Sequence, residues 1–204
     1  MIALIASALL SAAAPESGAV LATNATPAEL VAGCRAMVPE SVEIEGRIIL
    51  RNRRGIVQAE HGYVLSRSNS VTRLAIDGKT IDPPSSLVPH PPSLLGTDVT
   101  WSDLTLEYLW WDDFSCDAER TMESVHGQEC LVVLMKNGGR TVRVWVDRKT
   151  GAMMQAEELM DGEPVRRLWG TRIKKFGDRW APNVLEVETL GSGHRTKITV
   201  EKLK

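Results

Sequence analysis

From residue 42 to its end, this 204-residue chain is dominated by runs in which apolar and polar residues alternate. In the first run the apolar residues Val42, Ile44, Ile48 and Leu50 all lie at even-numbered positions. Gly46 lies between them as an expected bulge or kink. Successive side chains of a β-strand point to opposite faces, so a period of two gives a strand one apolar face. The chain therefore has to build a sheet and cover one side of it.

Short turn signals separate the alternating runs. Asp77-Gly78, Asn137-Gly138-Gly139 and Asp161-Gly162 are typical of tight hairpin turns. On this basis the sequence predicts about nine or ten strands, nearly all consecutive. Strands joined by short turns pair as antiparallel neighbours, which predicts one long meandering sheet. A sheet of this length curls, closes or splits.

Two segments carry the signals of a helix start. Thr26-Pro27-Ala28-Glu29 supplies an N-cap, a proline in the first turn and a carboxylate at the third position, which predicts a helix over 26–37. The residues 100–103 repeat the capping pattern and predict a second helix reaching residue 111. These segments have to cover the sheet. We therefore predict a mainly β, α+β fold, an incomplete antiparallel β-barrel wrapped around two or three short helices.

The segment 81–96 breaks the alternation. It is rich in proline, which supports neither a central strand nor a helix interior. Loops longer than about 12 to 15 residues are uncommon unless they act as lids or binding segments. The apolar residues Leu87, Val88, Leu94 and Leu95 indicate that this one packs onto the domain.

The beginning of the chain, residues 1–14, is an uncharged apolar run. It is shorter than the roughly 20 residues that span a bilayer and has the length of the apolar part of a secretory signal. Small residues at 20–22 and at 12–14 both offer a cleavage site. We predict a signal peptide over 1–22 and a single domain over 23–204. Because no Lys or Arg precedes the run, an upstream start or an ordinary buried segment stays an alternative.

The three cysteines, Cys34, Cys116 and Cys130, are an odd number, so at least one thiol has no partner within the chain. A bridge between Cys116 and Cys130 is disfavoured, because strand spacing separates them unless the chain before Glu119 folds back. The residues 30–34 resemble a lipobox, but a polar stretch separates them from the apolar run. We interpret Cys34 as a residue inside the first helix.

The sequence carries no pattern typical of catalysis. Its four histidines lack zinc-site spacing, and no nucleophile elbow or phosphate-binding loop is found. Glu157 and Glu158 should point to opposite faces of a strand, which argues against a shared acid–base site. A net charge of −2 argues against nucleic acid, and the alternating basic and acidic residues are interpreted as a solvated outer face. We expect no enzymatic activity, cofactor or metal.

The tryptophans are unusually numerous, six against two tyrosines and two phenylalanines. Trp101, Trp110 and Trp111 cluster on the second predicted helix, beside the segment 81–96. They are either core residues or the lining of a cavity mouth, where a large apolar ring with one polar N–H suits a lipid boundary. The apolar strand positions are then either cavity wall or, if the helices fill the space, plain core.

Much of the chain resembles the LolA-like family of outer-membrane lipoprotein-sorting proteins, and most closely its uncharacterised branch. The strongest matches are Gly-Thr-Asp before the second helix, Trp-Val-Asp at 145–147 and Arg-Trp-x-Pro at 179–182. The similarity covers nearly all of the predicted domain. It is carried by PESVEIEGRIILRNRRG (39–55), LGTDVTWSDLTLEYLWW (95–111), VRVWVDRKTGAMMQAEELMDGEPVRRL (142–168) and IKKFGDRWAPNVLEVETLGSGHRTKITVE (173–201).

The resemblance implies a half-open barrel with helices as a lid, a periplasmic location and a hydrophobic cavity that receives acyl chains. Relatives with this architecture include lipid carriers and also stress sensors that bind mislocalised lipoproteins or lipopolysaccharide, and fold alone does not separate them. In the carriers an arginine within the barrel contacts the lid. The resemblance assigns that role to no residue of this chain.

We therefore expect a monomeric periplasmic carrier that binds lipoproteins or lipids during outer-membrane lipoprotein sorting. Its implied partners are acyl chains, together with an inner-membrane exporter or an outer-membrane acceptor, and not nucleic acid. The alternative is a sensor or scaffold of the same fold that docks a protein. The residues expected to contact lipid are Val42, Ile44, Ile48, Leu50, Leu94, Leu95, Trp101, Leu104, Tyr108, Trp110, Trp111, Val142, Val144 and Val146.

Overall fold

The computed structural model describes residues 25–68, 71–84, 92–177 and 179–204, without the side chains at 173, 179 and 180. The predicted signal peptide and Leu87 and Val88 lie outside the described residues. Within the described ranges, no helix is both long enough and apolar enough to cross a membrane.

The first helix, α1 (Pro27–Ala36), begins as its sequence predicts. The Thr26 side chain accepts a hydrogen bond from the Glu29 amide, and the Glu29 carboxylate accepts one from the Thr26 amide at 2.7 Å, which completes a capping box. Leu30, Val31 and Cys34 are buried on one face of the helix. The prediction that Cys34 is a helical residue is confirmed.

Twelve strands form one antiparallel sheet. Its order is β4-β3-β2-β1-β12-β11-β10-β9-β8-β7, and the edge beyond β7 carries both β5 and β6. In chain order the strands are β1 (Val42–Asn52), β2 (Val57–Ser68), β3 (Val71–Ile76), β4 (Lys79–Ile81), β5 (Asp113–Cys116), β6 (Met122–Val125), β7 (Gln128–Asn137), β8 (Arg140–Asp147), β9 (Met153–Met160), β10 (Glu163–Phe176), β11 (Arg179–Thr189) and β12 (His194–Leu203).

The sheet consists of two meanders rather than the predicted single one. Strand β1 pairs with β2 on one side and with β12 on the other, so the first and last strands meet in the middle of the sheet. This pairing joins residues about 150 positions apart, and periodicity along the chain contains no signal for it. Strands β4 and β5 were also not predicted, because each is only three or four residues long.

The predicted helix over 100–111 is broken. It consists of α2 (Trp101–Thr105), then Leu106 in the left-handed conformation with φ of +53°, then a 3-10 turn over Glu107–Trp110. In a continuous helix Leu106 and Leu109 would lie on the face opposite Leu104. The break turns the chain so that all three leucines are buried against the sheet.

Gly46 lies at the predicted irregularity, where the register between β1 and β12 shifts. A Cβ at this position would lie 1.8 Å from the Thr199 carbonyl oxygen and 3.0 Å from the Tyr63 ring. The Tyr63 hydroxyl donates a hydrogen bond to the same carbonyl at 3.2 Å. The bend in the middle of the sheet therefore depends on the absence of a side chain.

All three cysteines are free thiols, as the strand spacing favours. Cys116 is exposed on β5, whereas Cys34 and Cys130 are buried. Burial raises the pKa of each of the latter two thiols to about 12. The Cys34 thiol donates to the Gly151 carbonyl at 3.4 Å, so it acts as a packing residue of α1.

Candidate functional site

The concave face of the sheet is apolar and is covered by α1 and by residues 97–111, which we call the lid. Ten of the fourteen residues expected to contact lipid belong to one buried cluster there. Leu94 packs against this cluster, Leu50 is buried outside it, and Leu95 and Trp110 are 50% and 37% exposed. The ten clustered residues are Val42, Ile44, Ile48, Trp101, Leu104, Tyr108, Trp111, Val142, Val144 and Val146.

The underside of the lid is aromatic and aliphatic. Tyr108 and Trp111 pack edge to face, with their ring centres 6.3 Å apart. The Tyr108 hydroxyl donates to the Met153 sulfur of β9 at 3.5 Å, and burial raises the pKa of that hydroxyl well above its ordinary value. Leu104 is fully buried. The lid therefore occupies the space in which a lipid was expected to lie.

Two arginines of the sheet bind polar side chains of the lid. The first is Arg140, at the start of β8. Its guanidinium donates to the Glu107 carboxylate at 2.9 Å and to the Ser102 hydroxyl at 2.8 Å. Ser102 in turn donates to Glu107 at 2.6 Å, which closes a triangle. The same guanidinium lies 5.0 Å from the centre of the Trp111 ring, within the range of a cation–π contact.

The second arginine is Arg166 of β10. Its guanidinium pairs with the Asp103 carboxylate, donates to the Asp98 carbonyl at 2.5 Å, and lies 3.1 Å from Glu158 of β9. Burial by itself disfavours a charged arginine, but the pairing with Asp103 and Glu158 outweighs it and raises the pKa of Arg166. Asp103 also caps α2 by accepting from the Thr100 amide at 2.7 Å. The helix start and the attachment of the lid thus share one carboxylate.

We call this set of charged contacts the latch: Arg140, Glu158 and Arg166 on the sheet, with Ser102, Asp103 and Glu107 on the lid. Arg140 and Glu158 are buried and the Arg166 side chain is only 14% exposed, which corrects the interpretation of the alternating charges as a solvated outer face. The sequence contained a usable signal for one of them. Arg140 has the parity of Val142 and Val144 on β8, so it had to share their concave face.

The end of the lid is held by α1. Arg35 donates through Nε to the Leu109 carbonyl at 2.5 Å and through Nη2 to the Trp111 carbonyl at 3.0 Å. These bonds satisfy two carbonyls at the end of the 3-10 turn, where no intrahelical partner exists. Two sheet arginines and one helix arginine therefore fix both halves of the lid.

The space beneath the latch is nearly filled. The cavity beneath the latch has a volume of about 20 Å³ and is lined in part by Tyr108, Val142 and Leu168. A space of that size holds about one water molecule. A much larger groove, of about 560 Å³, lies outside the lid between Trp110, Asp112 and the β7–β8 turn, and it is open to solvent.

The convex face of the same strands carries a separate buried ion cluster. Arg143 pairs with Asp117 at 2.7 Å, and Glu157 accepts from Arg167 at 2.7 Å. Glu157 and Glu158 therefore lie on opposite faces of β9, as predicted. Within the part of the chain that the structure describes, no group of three or more His, Cys, Asp or Glu side chains is arranged to hold a metal.

The chain matches one protein family, and its fold is similar to that of known structures. A family model described as an uncharacterised protein matches residues 90–204, more than half of the chain. No sequence of a curated protein matches. Three solved structures with the same fold are similar to the chain at 15–16% identity.

The first of these structures is a LolA superfamily protein from Nitrosomonas europaea, with a TM-score of 0.65 over 88% of this chain and 93% of that one. The second is a DUF1329 family protein from Desulfovibrio piger, with a TM-score of 0.60 over 86% and 89%. The third is a putative outer membrane lipoprotein-sorting protein domain from Vibrio parahaemolyticus, with a TM-score of 0.55 over 80% and 84%. At this identity they establish the fold and leave the ligand open.

Proposed function

We propose, because the chain belongs to a family of uncharacterised proteins and has the LolA-type fold, that it is a periplasmic carrier of lipidated protein or lipid. It acts by burial alone and performs no chemical step. The acyl chain lies on the concave face, and an inner-membrane exporter and an outer-membrane acceptor are the classes of partner that such a carrier requires. One observation carries this proposal: an apolar cluster on the concave face is covered by a lid whose helix has only five residues.

The cover is separable because little of its structure is intrinsic. Helix α2 has five residues, and isolated helices shorter than about 12 residues are marginal in water. The lid keeps its shape through its apolar underside and through the latch. Its polar groups become hydrated when it leaves the sheet, which offsets the loss of the ion pairs.

Exchange of the lid for an acyl chain is close to balanced. The acyl chain would cover Val142, Val144 and Ile44 in place of the lid side chains Leu104 and Tyr108. The concave face would therefore stay out of water both with the lid closed and with an acyl chain bound. Each buried methylene contributes about 0.8 kcal/mol, while the displaced lid side chains give up their contacts with the sheet. A near balance permits reversible loading and release, as a carrier requires.

The close packing under the latch favours a second candidate function, that of a sensor or scaffold. The cavity under the latch, of about 20 Å³, is too small for an acyl chain while the lid is closed. A sensor or scaffold that docks a protein would need no cavity. The two functions differ in whether acyl chains are ever bound.

Native mass spectrometry of protein purified from a bacterial periplasm without detergent tests the proposal. We expect wild-type protein to retain a fraction of acyl-bearing adducts, and Leu104→Ala to retain more, because truncation leaves an apolar cavity under the lid. Val64→Ala, at an exposed position of β2, is the matched control and should equal wild type. If neither wild type nor folded Leu104→Ala carries an adduct, the carrier proposal fails and the scaffold function takes its place.

A further inference from the structure

We propose that the β1–β2 turn and the adjacent β11–β12 turn form a docking surface for an anionic phospholipid bilayer. This surface is separate from the lid site and does not depend on the proposed acyl binding. We call residues 51–57 the basic turn. Its sequence, Arg-Asn-Arg-Arg-Gly-Ile-Val, has three arginines and no acidic residue in a chain with a net charge of −2.

The basic turn combines exposed positive charge with exposed aliphatic side chains. Arg53 and Arg54 are exposed, and Ile56 and Val57 are 55% and 45% exposed. Among the described residues, the ion pairs include none with Arg51, Arg53 or Arg54, whereas Arg47 on the same strand is paired with Glu60 and Glu201. Two exposed positive charges, with the half-buried Arg51 beside them, are therefore available to a partner.

The turn is ordered by its own hydrogen bonds. The Asn52 side-chain oxygen accepts from the amides of Arg54 at 3.0 Å and Ile56 at 3.1 Å, and the Gly55 amide donates to the Asn52 carbonyl at 2.8 Å. Gly55 has a φ of +78°, which glycine adopts without strain. Ile56 and Val57, which we call the aliphatic tip, are thus held in a fixed shape. Binding to a partner therefore costs the turn little conformational entropy.

A basic cleft lies beside the turn on the convex face. The Arg53 side chain reaches across to Gly193 of the β11–β12 turn, and the cleft between the two turns, of about 450 Å³, includes Arg51, Arg195 and Lys197. Glu186 and Glu188 also line this cleft and pair with Arg195 at 3.1 and 3.5 Å, so it keeps the charge of Arg51 and Arg53. Its size and charge suit phosphate groups of lipid headgroups.

These features favour a bilayer over other acidic partners. A lipid surface uses both parts of the turn, because arginines near an anionic surface and aliphatic side chains at the headgroup boundary each contribute to binding. Nucleic acid or an acidic polypeptide would use the arginines and leave Ile56 and Val57 exposed. The prediction for a bilayer is therefore that charge and aliphatic tip both matter.

Co-sedimentation of the full chain with vesicles tests the proposal. We expect binding to phosphatidylethanolamine vesicles containing about one quarter phosphatidylglycerol, no binding to phosphatidylcholine vesicles, and loss of binding in about 0.5 M NaCl. The double variant Arg53→Gln/Arg54→Gln should bind about 25-fold more weakly, at about fivefold per arginine. Ile56→Ser should bind about fivefold more weakly.

The matched control is Met160→Ser, which removes a 41% exposed apolar side chain from the end of β9, beside Asp161 and opposite Glu163. It should bind vesicles like wild type, and inorganic phosphate at matched ionic strength should not displace the protein. Equal binding to both vesicle types, equal losses in Ile56→Ser and Met160→Ser, or displacement by phosphate would overturn the proposal. Retention by polyglutamate that equals retention by anionic vesicles would also overturn it, in favour of an acidic protein partner.

Discussion

Gly46→Ala is expected to lower the free energy of unfolding by about 3 kcal/mol or more, the upper part of the range for overpacking. The added Cβ would lie 1.8 Å from the Thr199 carbonyl oxygen, a backbone atom that cannot rotate away. Relief requires β1 and β12 to separate locally, and this pair joins the two meanders. Urea unfolding followed by tryptophan fluorescence measures the change.

The control for this prediction is Gly62→Ala on the neighbouring strand β2. A Cβ there has only the Asp77 carboxylate nearby, at 4.0 Å, so the change should stay within about 1 kcal/mol of wild type. Both variants exchange a strand glycine for alanine, and they differ in the space available. Similar stabilities for the two variants would mean that β1 and β12 do not approach as closely as described.

Arg166→Met is expected to release the lid. The substitution removes the arginine paired with Asp103 in a largely buried setting, and breaking a buried ion pair typically costs about 3–5 kcal/mol. The lid can avoid this cost by moving Asp103 into water, because α2 has few bonds of its own. We expect acrylamide to quench Trp101 and Trp111 more strongly and fatty-acid uptake to accelerate by about tenfold or more, while far-UV circular dichroism keeps the strand signal.

Arg195→Met is the control for the latch. Arg195 is also an arginine paired with two carboxylates, Glu186 and Glu188, but it is half exposed and lies on the convex face. Solvent screens this pair, so its removal should not change uptake. Because Arg195 also lies 5.2 Å from the centre of the Trp169 ring, quenching is compared in a Trp169→Phe background, where it should be unchanged as well. The latch would be refuted as the attachment of the lid if Arg166→Met left both measurements at wild-type values.

The local features of the fold could be predicted from the sequence because they depend on neighbours in the chain. The capping boxes at Thr26 and Thr100, the irregularity at Gly46 and the opposite faces of Glu157 and Glu158 all follow from local spacing. The long-range pairing of β1 with β12 could not be predicted in this way. The left-handed Leu106 was also missed, because the curved sheet and not the local sequence imposes that bend.

In the candidate site, too, the local features were predictable and the long-range contacts were not. Its apolar part was predictable from parity, and ten of the predicted residues share one core. The latch was missed because arginine and glutamate have the composition of a solvated surface, and their burial depends on which lid segment reaches them. Whether apolar strand residues form a cavity wall or a packed core depends on the position of the lid, which periodicity does not encode.

Tryptophan quenching by a brominated fatty acid tests the central claim, that acyl chains bind the concave face once the lid moves. Bromine quenches on contact, and the protein has Trp101 and Trp111 in the lid, packed on the concave face and able to close over a bound acyl chain, but Trp145 and Trp169 on the convex side. We predict saturable quenching that shrinks in Trp111→Phe and is unchanged in Trp145→Phe. An absence of quenching, or equal losses of amplitude in both variants, would contradict the claim.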